Sequence, residues 1–127
     1  MENKAPSNKK EEFFLQHSEE TLEHLFNHPC VVYYTIFNEG WGQFKANYAY
    51  DYLKARDPSR IFDTASGWFK NPESDVESDH IYFKTPSLEE RAANSSKPLI
   101  ISECGGYTLE IPAHTWSLYG KYGYGGS

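Results

Sequence analysis

No stretch of the 127 residues approaches the roughly 18 consecutive apolar side chains that a membrane-spanning helix needs, so no membrane partner is expected. Cysteine is scarce. Cys30 and Cys104 are the only two, too few for a disulfide framework or a thiolate zinc site, and they suit reducing conditions. Positive charge is in deficit, with 12 Lys+Arg against 18 Asp+Glu for a net charge of −6. A nucleic-acid binder advertises a basic patch, and none is written here. The opening Met1-Glu2-Asn3-Lys4-Ala5-Pro6 leads to no apolar signal segment, which sets a cytoplasmic expectation. Aromatic rings are in excess instead: 8 Phe, 3 Trp and 10 Tyr, or 17% of the chain. Rings at that density fit a core, an interface or a carbohydrate-binding cleft, and composition does not choose among them.

Residues 1–12 are polar, rich in Lys and Glu, and read as a tail or truncated connection ahead of one domain over 13–127. From Phe13 to Phe26, Phe14, Leu15, Leu22, Leu25 and Phe26 recur at helical spacing, with Ser18 as a candidate N-cap. Asn27-His28-Pro29 ends that helix, because the residue before proline is pushed out of the α region. Val31 to Phe37 is an unalternating run of β-formers, the pattern of a strand buried on both faces. Cys30, opening that strand, reads as an inert core thiol. Gln43–Arg56 has a second helical stripe, and Asp57-Pro58-Ser59 terminates it. Short strands are expected at Ile61-Phe62, at His80–Phe83 and at Pro98–Ser102. An acidic loop (Asn71–Asp79), a helical turn (Ser87–Ala93) and a Gly/Tyr-rich tail complete the chain. Strands alternating with helices predict parallel βα units.

In such architectures functional groups gather at the carboxyl ends of the strands. Two of the buried-type runs end in a glutamate followed at once or after one residue by glycine: Asn38-Glu39-Gly40 and Ser102-Glu103-Cys104-Gly105. Either glutamate alone would be an ordinary solvated loop residue. A pair at matching strand ends is what glycoside hydrolysis requires, one carboxyl protonating the leaving oxygen while the other attacks the anomeric carbon or activates water. Asn38, Trp41, Trp68, His80 and Tyr82 lie at neighbouring ends and suit a sugar, whose C–H faces stack on rings and whose hydroxyls take amide and carboxylate hydrogen bonds.

The segments Asn27–Phe44 and Lys97–Tyr107 resemble the acid/base and nucleophile segments of glycoside hydrolase family 2, which includes β-galactosidases, β-glucuronidases and β-mannosidases. Asp57–Arg60 and Asp63–Trp68 are similar to the family's fifth-strand region. The resemblance implies a partial (β/α)8 TIM barrel of approximately strands four to seven, since a whole barrel takes about 250 residues. It implies a retaining β-glycosidase with Glu39 as acid/base and Glu103 as nucleophile. Asn38 then contacts the sugar 2-hydroxyl, and Tyr82 hydrogen-bonds the nucleophile. Trp41, Trp68 and His80 are offered as cleft-lining residues, His80 in a structural role. Some members bind a metal beside the acid/base and place a histidine after the nucleophile. Here Gly105-Gly106 stands there instead, so no metal or cofactor is expected. A half-barrel with open edges is expected to self-associate and to hydrolyse little by itself. A non-catalytic carbohydrate-binding or assembly module is the alternative of a different class.

Overall fold

The computed structural model describes residues 7–40, 42–82, 88–108, 111, 113–114 and 124–125. A first helix, α1 (Asn8–Leu25), leads to β1 (Tyr33–Asn38), α2 (Ala46–Arg56) and β2 (Ile61–Ser66). Then follow β3 (Glu77–Tyr82), the short α3 (Glu89–Asn94) and β4 (Leu99–Gly105), with two-residue β5 (Tyr107–Thr108) and β6 (Tyr124–Gly125). The strands pair in parallel as β1 with β2, β3 with β4, and β5 with β6, giving three two-stranded sheets. Parallel βα organisation therefore holds. Among the described residues no helix is long and apolar enough to cross a membrane.

Between β2 and β3 the ladder is replaced by side-chain and loop bonds. Phe62 donates its N–H to Asp75 Oδ2 (2.7 Å) and accepts the Asp75 N–H (3.0 Å), while Ser74 Oγ accepts the Thr64 N–H (3.2 Å). These bonds satisfy backbone groups of β2 that would otherwise be buried unpaired. They also place β3 beside β2, so the strand ends run in chain order.

α1 and α2 cover one face of the β1–β2 pair. Leu22, Leu53 and Phe62 form one buried cluster, and Phe37, Ala46 and Ala49 a second, with Ile36 packed against both. Much of the aromatic excess goes here: Phe14 stacks on Phe37 at 5.1 Å, and Phe44 meets both edge-on at 5.4 Å. Tyr52 and Arg56 of α2 both reach Glu19 of α1, at 2.7 and 2.5 Å, and tie the two helices together.

Several expectations are corrected. The helix begins at Asn8, so residues 8–12 of the expected tail are helical, and Ser18 lies inside the helix, bonding back to the Phe14 carbonyl at 2.8 Å. A serine hydroxyl can satisfy itself this way without ending a helix. β2 extends to Ser66 and β3 starts at Glu77, because polar side chains of both strands find buried partners across the gap. Leu99–Ile101 is only half-buried, and within β1 Phe37 alone is buried, the helices covering one face only. Cys30 is exposed in the turn after Pro29, ahead of the strand it was expected to open.

The loop after α2 is locked by charge. Asp57 and Arg60, both buried, form an ion pair, and Ser59 donates to Asp57 Oδ1 through its hydroxyl at 2.6 Å. Arg60 also donates to the carbonyls of Val31 (2.6 Å), Phe26 (2.7 Å) and His28 (3.2 Å), clamping the α1–β1 connection. Asp75 holds a comparable position, receiving Lys54, Tyr50 and the Phe62 N–H. Burial alone would raise both carboxyls. Hydrogen bonds from Ser59 and Arg60 hold Asp57 below its ordinary value all the same, and Lys54 and the Phe62 N–H do so for Asp75. Carboxyls depressed in the folded state contribute stability that is complete above the unfolded value of about 3.9 and is lost as pH falls through the folded one. The urea midpoint at pH 3 is therefore expected well below that at pH 7; equal midpoints would show that these pairs contribute nothing.

Candidate active site

β1 delivers Asn38 and Glu39 to its carboxyl end, where Glu39 turns out of the strand at φ +52°, a left-handed conformation uncommon for any residue but glycine. Its N–H bonds to the Ser66 carbonyl at 2.9 Å, which ties the turn to the end of β2. Strain of this kind costs on the order of 1–3 kcal/mol and persists where the surroundings over-determine it. Gly40 follows at φ +74°, and a Cβ there would run into the Phe69 ring.

β3 and β4 bring the other partners. Their register shifts between Asp79 and His80, so that Asp79 faces Ile101 while His80 faces Glu103, leaving Ser102 as the extra residue. A bulge re-aims side chains, and this one sets His80 beside the glutamate. The His80 side chain is 0% exposed, against 19% for Glu39 and 37% for Glu103. His80 Nδ1 lies 2.8 Å from Glu39 Oε1, and Nε2 lies 3.0 Å from Ser66 Oγ and 3.4 Å from Glu103 Oε1. Tyr82 donates its hydroxyl to Glu103 Oε2 at 2.5 Å. Gly67 makes room for the ring: at φ +91°, a Cβ there would stand 2.6 Å from His80 Nδ1.

Of the residues singled out in the sequence, Glu39, His80, Tyr82 and Glu103 are thus brought into one hydrogen-bonded cluster. Asn38 lines, with Tyr33, Thr35, Ser66, Ser102 and Glu103, a cleft of about 610 Å³. The Tyr33 hydroxyl in that cleft donates to Asp63 Oδ2 at 2.7 Å, and burial and that carboxylate together push the phenol up. Trp68, just beyond β2, is 59% exposed. Its neighbour Phe69, which the sequence reading passed over, supplies the ring against the Glu39–Gly40 turn. Trp41 lies outside the described residues. Ser66 and Ser102 were also passed over; serines carry no periodic signal, and only the bulge aligns them. Cys104, next to Glu103, is exposed.

One donor atom each from Glu39, His80 and Glu103 fall within 4.8 Å of one another, a spacing that could admit a cation. Both ring nitrogens are already engaged, by Glu39 and by Ser66, so an ion would have to displace those bonds.

Two carboxylates flanking one imidazole at the mouths of parallel strands are the makings of a hydrolase site. Residues 1–122 match the family described as glycosyl hydrolases family 2, TIM barrel domain, and the chain belongs to that family. No curated protein matches it.

Proposed function

We propose that the chain supplies approximately strands four to seven of the catalytic barrel of a retaining β-glycosidase, with Glu39 as acid/base and Glu103 as nucleophile. The observation that carries this is the closeness of the two carboxylates, with an oxygen of each inside the same 4.8 Å cluster. Retaining glycosidases hold their carboxyl groups about 5–5.5 Å apart, whereas inverting ones separate them by about 6.5–9.5 Å to admit a water. Glu103, ionised and held by Tyr82, attacks the anomeric carbon as the glycosidic bond breaks. Glu39 gives its proton to the departing oxygen. Water then adds to the anomeric carbon, Glu39 takes its proton, and Glu103 leaves as carboxylate. Asn38 lines the same cleft as Glu103, which supports a contact with a sugar hydroxyl.

The outer edges of β1 and β4 carry no ladder partner among the described residues, which supports self-association of the chain in isolation. The decisive test therefore uses a protein carrying this segment in a complete barrel. A 2-fluoro glycoside with an activated aryl leaving group should become covalently attached to Glu103, located by mass spectrometry of peptides. Attachment to another carboxylate would remove the nucleophile assignment, and sugar binding without attachment or turnover would favour the binding-module reading.

A further inference from the structure

The strand ends are joined by one continuous chain of hydrogen bonds that touches all of β1 to β4. Ser102 Oγ of β4 lies 2.8 Å from Ser66 Oγ of β2, and Ser66 Oγ lies 3.0 Å from His80 Nε2 of β3. His80 Nδ1 lies 2.8 Å from Glu39 Oε1, just past β1. Each member has limited options. A hydroxyl gives one proton, and a neutral imidazole gives one and accepts one.

With a neutral ring, only one direction leaves the acid's proton free for a substrate, and it puts the Ser102 proton on Ser66 at 2.8 Å in preference to the Asp79 carbonyl at 3.4 Å. Ser102 donates to Ser66, Ser66 donates to Nε2, and the ring carries its proton on Nδ1 and donates it to Glu39 Oε1. In the reverse direction the Nδ1 lone pair would face Glu39, and Glu39 would have to spend its proton on the ring. The charged groups facing the ring are Glu39 and Glu103, while Lys70 and Arg91 are paired with Asp79.

We propose that His80 is a positioning residue: fixed as the Nδ1–H form by Ser66 and Ser102, it occupies Oε1 of Glu39, so that the transferable proton sits on Oε2. This rests on the acid/base role given to Glu39 above and adds which oxygen carries the proton. Tyr82 acts alike on the other carboxylate, occupying Oε2 of Glu103. A ring that is wholly buried and bonded on both nitrogens loses little to thermal disorder, which suits a positioning task.

The test reads the ring rather than turnover. Nitrogen-15 magic-angle-spinning spectra of the histidine-labelled full chain report the tautomer whether or not the chain self-associates. His17, His24, His28 and His114 are exposed, and His80 is identified as the resonance lost in His80→Asn. The expected result at neutral pH is a neutral His80 protonated on Nδ1; protonation on Nε2 alone, or on both nitrogens, would overturn the proposal. Ser66→Ala removes the donor to Nε2, and Glu39→Ala removes the acceptor at Nδ1. Each is expected to shift the tautomer ratio about tenfold toward Nε2–H, the scale of one buried hydrogen bond. An unchanged ratio in both would show that the chain of bonds does not hold the ring. A correct tautomer in a protein that fails to label Glu103 would leave this proposal's geometry standing and defeat the glycosidase reading.

Discussion

In a complete barrel carrying this segment, Glu103→Gln is expected to lower turnover of every β-glycoside by about 10⁵-fold, the scale on which losing a covalent nucleophile acts. The amide keeps the shape and the Tyr82 contact yet cannot attack the anomeric carbon. Glu39→Gln should behave differently. With poor leaving groups the loss is expected at about 10²–10⁴-fold, the contribution of general acid catalysis. With dinitrophenyl-type leaving groups, which depart without protonation, the first step is spared and only water attack slows, so a burst of phenol should precede a slow steady state. The measurement is stopped-flow release of the phenol from a series of aryl glycosides. A Glu103→Gln enzyme within tenfold of the parent, or a Glu39→Gln loss independent of leaving group, would undo the division of roles.

The second large effect lies away from the cleft. Arg60→Met is expected to cost about 3–5 kcal/mol in unfolding free energy, because it strands a buried carboxylate at Asp57. It also removes the donor from the carbonyls of Val31, Phe26 and His28. Arg60→Lys should rescue little, since an ammonium cannot serve a carboxylate and several carbonyls at diverging angles as a guanidinium fork does. Adding Asp57→Ala to Arg60→Met should recover part of the loss by removing the stranded charge, an interaction that a double-mutant cycle in urea measures. If Arg60→Met costs under 1 kcal/mol, the clamp is incidental.

Much of this was legible beforehand where the signal is periodic or positional. The unalternating run before Asn38 marked a parallel strand, and the Glu-Gly steps after two such runs marked the two carboxylates. The buried ion pair sits in Asp57-Pro58-Ser59-Arg60, which in the sequence reads as a helix stop and as similar to a family segment, without its energetic weight. Salt-bridge burial has no sequence period. Residues 8–12 carry no apolar stripe, so the start of α1 is not legible there, yet Glu11 finds Lys45 at 2.7 Å. The sequence marks His80 only for a lining and structural role, and its place between the two glutamates depends on a one-residue register shift. Such a shift changes which residues face each other without changing any local propensity.

The left-handed backbone at Glu39 sets stability and chemistry against each other at a single position. Glycine would relax that φ at no steric cost, and asparagine at little. That relief is opposed by the bond Glu39 makes to the buried His80 ring, which either substitution weakens or removes. Any heat-resistant variant that changes Glu39 would also have discarded the acid, so thermostabilisation of this fold has to screen for turnover at every round.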